Sequence, residues 1–322
     1  MSPSATVANA SNANRDSDQG FVESTCLPFL RHARNDDGGW GYRPGRASAV
    51  EPTAWCLLAL GKVDSGSEAI EAGRQWLLGA QNGDGSWPTW PGVGEGNWVT
   101  ALAGLALEAL GGPAPAIENA ARWICRSHSA EGGLRLRVAS LFARKKIVQQ
   151  DFSLRGWSWT PGTSSWVEPT AVALIFLHHL PSTLALPEAA ERRRMGEAML
   201  YDRICLSGGW NLGNPKVYGV EGIPQLGPTA WALLALQEHS EREENRRSLD
   251  WLARNAGTMN GPSSAALAQL ALEACGRPAA SLEQKLAEQF QNQGFLDNVV
   301  AFAQAAFALR PGPDVLRWAK AE

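Results

Sequence analysis

The residues with most to offer chemistry here are tryptophans. The 322-residue chain has 14 Trp against 9 Phe and 3 Tyr, whereas an ordinary core holds more Phe than Trp. Trp157, Trp159 and Trp166 fall close together, as do Trp90 and Trp98. Indole faces attract cations, each by up to about 2 kcal/mol when desolvated, so these five residues are candidates to line a pocket that handles positive charge. Ordinary packing is the competing reading for all five. Carboxylates near predicted turns and helix starts (Asp36, Asp37, Asp84, Glu95 and Glu168) supply candidate acids and bases. Metal chemistry has less support. The five cysteines (Cys26, Cys56, Cys125, Cys205, Cys275) form no Cys-x-x-Cys pair, and the five histidines do not stand at metal-ligand spacing. His178-His179 closes an apolar run, where a helix C-terminus favours a cation, so a cap is the better reading than a ligand.

Charge narrows the partners. Twenty-nine basic and 32 acidic residues give a net charge of −3, which attracts neither nucleic acid nor an anionic membrane as a whole. Residues 1–20 are polar, lack the basic and apolar regions of a secretion signal, and read as a disordered leader. No run of about 18 apolar residues occurs, so the expected setting is the cytoplasm. One segment, 134–155, concentrates Arg135, Arg137, Arg144, Lys145, Lys146 and Arg155 among apolar residues. It reads as a solvated insertion, a peripheral membrane contact that admits a lipid, or a phosphate clamp.

The elements that must position these residues repeat along the chain. Thr-Ala followed by an apolar run occurs at Thr53 (TAWCLLAL), Thr100 (TALAGLAL), Thr170 (TAVALIFL) and Thr229 (TAWALLAL), with a degraded copy from Ala265 (AALAQLAL). Proline stands before three of the four threonines, as suits a first helical turn. Runs that are apolar all round predict buried helices. A second phrase alternates with the first: Arg74-Gln75-Trp76-Leu77, Arg122-Trp123-Ile124, Asp250-Trp251-Leu252 and Arg317-Trp318-Ala319, each predicting an amphipathic outer helix. Between them lie Gly-aromatic turns, namely Asp36 to Trp40, Gln81 to Trp87 (with Gly85), Gly208 to Trp210 and Gln293 to Phe295. In these, Trp40, Trp87 and Trp210 read as staples between repeats. Such a unit cannot cover its own buried helix, so five or six hairpins must pack side by side. The terminal units lack obvious polar caps, which favours a closed ring over an open solenoid. The expectation is an all-α fold, an α/α toroid in one domain over 21–322.

Residues Arg74 to Trp87 (RQWLLGAQNGDGSW) resemble the QW motif of squalene-hopene and oxidosqualene cyclases, relatives of protein prenyltransferase β subunits in the α/α-toroid superfamily. The resemblance extends over nearly all of the chain from about residue 26. It implies that Gln81 bonds the start of the next helix while Trp87 stacks on it, tying the outer helices together. It also implies class II terpene cyclase-like activity, protonation-initiated cyclisation of an isoprenoid or polyene. The family's acid motif, Asp-x-Asp-Asp-Thr-Ala, aligns with Trp166-Val167-Glu168-Pro169-Thr170-Ala171, which puts Glu168 on the central acid and leaves Trp166 and Pro169 on the flanking two. Glu168 is the candidate proton donor and Trp90, Trp98, Trp157, Trp159 and Trp166 the candidate pocket. A helix N-terminus beside Glu168 would lower its pKa, and Glu51-Pro52-Thr53-Ala54 repeats the same words, as a capping device would. The family's cyclases have two barrels and this chain one; a homodimer would supply a second. The prenyltransferase zinc set is absent, as is the thioester sequence of the macroglobulin class. No cofactor is expected. The rival expectation is a non-catalytic toroid that binds an isoprenoid, a peptide or a partner protein, since one fold hosts many functions.

Overall fold

The computed structural model describes residues 20–127, 129–131, 150–180, 184, 186–258, 261–277, 280–312 and 314–318. The leader 1–19 and residues 134–149 of the basic segment lie outside the described residues. Among the described residues, twelve α-helices alternate between an inner and an outer layer. The inner helices are α2 (Val50–Gly61), α4 (Val99–Ala109), α6 (Val167–His179), α8 (Leu226–Ala235), α10 (Pro262–Ala274) and α12 (Val299–Leu309). The outer ones are α1 (Leu27–His32, preceded by a π-helical turn Val22–Cys26), α3 (Glu68–Gly79), α5 (Ala114–Arg126), α7 (Pro187–Asp202), α9 (Glu243–Asn255) and α11 (Ala280–Gln293).

The inner helices pack in chain order around a ring, and α12 returns to α2 to close it. Each outer helix covers the inner helix before it, and α1 covers α12, so the chain's two ends share the sixth hairpin. This is a closed α/α toroid, the arrangement that the lack of polar terminal caps favoured over an open solenoid. Residues 50–60 of α2 are all buried except Glu51, and residues 167–177 of α6 are all buried except Glu168. A helix covered on every side can be apolar on every face. Among the described residues no helix is long and apolar enough to cross a membrane, and the only sheet is a two-residue hairpin of β1 (Lys216–Val217) and β2 (Val220–Glu221).

One clamp joins the layers in four units. The backbone N–H of Trp40, Trp87, Trp157 and Trp210 donates to the hydroxyl of Thr53, Thr100, Thr170 and Thr229, each at 2.9 Å. The same hydroxyl donates back to the Trp carbonyl, at 3.1 to 3.3 Å. Each indole N–H then reaches a carbonyl of the preceding outer segment: Leu30, Leu77, Ile124 and Leu200. A hydroxyl that both accepts and donates is what this geometry requires, hence the recurring Thr. In the fifth and sixth inner helices Ala265 and Phe302 replace Thr, and Phe295, without an indole N–H, stands in the last turn. At Gly85, with φ of 92°, a Cβ would meet the Asn119 carbonyl oxygen at 2.6 Å, so only glycine lets the turn lie directly on α5. Gln81 Nε2 donates to the Ala116 carbonyl in the first turn of α5 at 3.0 Å, the bond that the motif implied.

Two expectations fail at the far end of the ring. Arg317 and Trp318 are not helical; residues 310–312 and 314–318 instead cross the C-terminal ends of the inner helices. Leu316 is fully buried there, Gln237 bonds both the Leu316 carbonyl and the Trp318 N–H, and Trp318 stacks on His178 at 3.6 Å. Lys62 anchors the strap, donating to the Phe307 carbonyl at 2.8 Å and facing Asp314 at 3.6 Å. Burial works against the cationic cap expected of His178 and His179. Burial lowers the pKa of both, His179 to about 4, with the neighbouring His178 contributing.

Candidate active site at the mouth of the ring

The opposite end, where the inner helices begin, carries the candidate chemistry. Backbone bonds from Thr53, Thr170, Thr229, Ala265 and Phe302 to the carbonyls four residues back put these helix starts in one register. Two residues before each of these positions stand Glu51, Glu168, Gly227, Ser263 and Val300, and α4 presents Trp98 there. Prolines at 52, 169 and 228 lack the N–H that a first turn leaves unbonded anyway. The repeat thus delivers one residue per inner helix to the mouth, and two of them carry carboxyls.

Those two carboxyls interact. Burial pushes the Glu168 carboxyl up to about 7, and the charge of Glu51 adds to the effect. Burial raises Glu51 as well, partly offset by the Tyr42 hydroxyl, which donates to Glu51 Oε2 at 2.6 Å. The helix N-terminus was expected to lower the pKa of Glu168; desolvation and a like charge outweigh it. Neither carboxyl caps a helix: no side-chain cap bond forms at the start of α2 or α6, and Glu168 has no hydrogen bond or ion pair among the described residues. On the other side, a Cβ at Gly227 would sit 3.2 Å from Glu168 Oε1, so the carboxyl leans over the start of α8.

The tryptophans separate by position. Trp98 and Trp159 meet edge to face, 4.9 Å between ring centres. Trp90, 41% exposed, lies 6.1 Å from Tyr42 and so beside the acid pair. Trp166 stands at the N-cap of α6, its N–H bonded to the Trp157 carbonyl. Trp157 itself occupies the clamp position of the third unit and carries the Arg192 guanidinium 4.2 Å over its ring. Trp157 and Trp98 also border a cleft of only about 20 Å³, room for about one water. Trp40, Trp87 and Trp210 are fully buried in the clamps.

Deeper in the ring, Trp55 and Trp231, from the opposed helices α2 and α8, meet at 6.0 Å, with Phe307 edge-on to Trp55. Two indoles therefore meet across the middle of the barrel. Glu51 and Tyr42 were not among the residues singled out from the sequence. The signal was present in Glu51-Pro52-Thr53-Ala54, whose identity with the words around Glu168 pointed to a shared position rather than to a cap. Among the described residues no three His, Cys, Asp or Glu side chains converge as a metal site.

No protein-family model and no curated protein matches the chain. Solved structures do. A variant of type II terpene cyclase MstE from Scytonema, in complex with geranylgeranyl dihydroxybenzoate as substrate, superposes with a TM-score of 0.59 at 14% identity, covering 92% of this chain and 98% of that one. Another variant of the same enzyme, in complex with the product merosterolic acid A, gives 0.58 at 14% identity over 92% and 97%. A protein from Actinoplanes gives 0.61 at 17% identity over 91% and 98%. Over 91–92% of its length the chain thus shares its α/α-toroid fold with these structures.

Proposed function

We propose that the protein is a class II terpene cyclase-like enzyme that protonates an isoprenoid or polyene at the mouth of its ring, with Glu168 as the acid. The observation that carries this reading is the pairing of Glu168 with Glu51, which together with burial raises Glu168 to about 7. A carboxyl in that range keeps its proton near neutral pH, the first requirement of a donor. In the reaction, the Glu168 O–H bond breaks and a C–H bond forms at one alkene carbon, leaving a cation at the other. The next alkene of the chain attacks that cation and closes a ring. A final proton loss, either directly or after capture of water, gives a neutral product, and the proton released balances the one that Glu168 takes back. Trp98, Trp159 and Trp90 offer aromatic faces to the cation at the same end of the ring, while the first turn of α6 favours the carboxylate that remains. The single barrel is no obstacle, since this chain covers 98% of a chain called a type II terpene cyclase.

A second reading has one observation in its favour. Trp55 against Trp231 closes the barrel centre, which suits a module that binds an apolar ligand at its mouth without transforming it. Incubation with squalene and with farnesyl and geranylgeranyl compounds, followed by product analysis, separates the two. Cyclic products from the wild type and none from Glu168→Gln support the cyclase. Equal rates from both would remove Glu168 from the mechanism, and absence of product from every substrate supports the module.

A further inference from the structure

Beside the acid pair lies a cleft of about 300 Å³, at the lower end of the range for small-molecule sites. Its walls include Arg43, Ser263, Ser264, Gln293, Phe295 and Leu296. It belongs to the mouth on two sides. Ser263 holds on α10 the register position that Glu51 and Glu168 hold on α2 and α6, and a Cβ at Gly227 would touch both Glu168 Oε1, at 3.2 Å, and Ser264 Oγ, at 3.8 Å. Across the cleft, Arg43 follows directly on Tyr42, whose hydroxyl holds Glu51 and whose carbonyl accepts the Val299 N–H at the start of α12.

The polar groups of this cleft suit an anion. Arg43 is exposed and pairs with no carboxylate among the described residues, in a chain whose net charge is −3. Its fork of donors matches carboxylate and phosphate oxygens. Ser263 and Ser264 lie in the first turn of α10, a 13-residue helix whose N-cap, Gly261, supplies no side-chain acceptor, so the partial positive charge of that end faces the same space. The remaining wall is a strained one. Phe295, Leu296 and Asp297 have φ of 50°, 53° and 54°, a run of left-handed non-glycine residues of the kind that surrounding structure sustains at ligand sites. Asp297 is exposed and does not line the cleft.

We infer that this cleft binds the anionic head, carboxylate or phosphate, of the isoprenoid, with Arg43 as its counter-charge and the apolar chain leaving across Gly227 toward Glu168, Trp98 and Trp159. The inference deepens the proposed function and rests on its isoprenoid substrate.

Three probes of equal chain length test it by titration calorimetry: farnesoic acid, farnesyl diphosphate and farnesol. The wild type should bind at least one anion about tenfold or more tightly than the alcohol, and the preferred anion identifies the head. Arg43→Gln, an exposed and fold-neutral change, should erase that preference, as loss of one charge-assisted bond predicts, and leave farnesol unchanged. Equal affinity for all three in the wild type, an anion preference that survives Arg43→Gln, or no binding of any probe would overturn the head-group pocket. The cyclase reading fails separately. Arg43-dependent binding without any cyclic product sinks that reading and keeps the pocket, whereas cyclisation with no dependence on Arg43 sinks the pocket and keeps the cyclase.

Discussion

Replacing Glu168 with glutamine removes a group whose proton the fold holds far beyond the usual carboxylate range, and the consequence can be worked out with its sign. The unfolded chain releases this proton near 4.5, the folded protein near 7. Between those values the folded state binds more proton than the unfolded state, so stability falls as pH rises. The contribution of Glu168 is therefore fully present below about 4.5 and lost by the time pH passes about 7. That displacement is equivalent to at most roughly 3.5 kcal/mol, since each pH unit is worth about 1.4, and solvent at the mouth reduces it. Glutamine stays neutral at every pH and fills nearly the same volume. Urea unfolding followed by Trp fluorescence at pH 4.5, 6, 7 and 8 should give wild type and Glu168→Gln similar stability at the lowest pH. The variant should become more stable by one to a few kcal/mol, at most roughly 3.5, at pH 8. A variant that loses stability at pH 8, or that keeps the wild-type slope with pH, would show that the mouth neither desolvates nor crowds this carboxyl.

Activity should follow the same titration from the other side: the rate of any cyclisation falls as pH rises through about 7, where Glu168 loses its proton, and a pH–rate profile rising through that range would contradict the donor role. Gly227→Ala puts a methyl group 3.2 Å from Glu168 Oε1; near-wild-type unfolding together with a displaced Glu168 titration, read by NMR of the labelled carboxyl, is the expected result. Thr170→Val should cost about 1–3 kcal/mol in urea unfolding, because the Trp157 N–H is left buried without its acceptor, and Thr53→Val and Thr229→Val should behave alike. Tyr42→Phe deletes the donor to Glu51, so the Glu51 carboxyl should titrate higher still, by direct NMR measurement.

Much of the fold could be read from the residue pattern, because it is repeated and local. Apolar runs opening with Thr-Ala gave four inner helices and the degraded copy at Ala265 a fifth; the Gly-Trp turns and the charged, Trp-bearing outer segments supplied the other layer. Even the clamp has a signature, since Trp40, Trp87 and Trp157 each stand 13 residues before their threonine. That spacing assigns Trp157 to the clamp, although its neighbours Trp159 and Trp166 made it look like a pocket residue. Trp318 misled for the opposite reason: its surroundings resemble an outer helix, but the α12 hairpin already has its outer partner in α1, so no place remains in that layer.

The candidate site was half legible. The helix-start phrase fixed the register that brings Glu168, Glu51, Ser263 and Gly227 to one end, because a short periodic pattern determines which residues share a level of the barrel. Closure of the ring decided the rest. Only when α12 packs on α2 do helices distant in the chain face one another, so that Glu51 raises Glu168, Trp55 meets Trp231 and Arg43 comes to stand opposite Ser263. Desolvation and like-charge repulsion depend on distance and burial, and neither exists along an open chain.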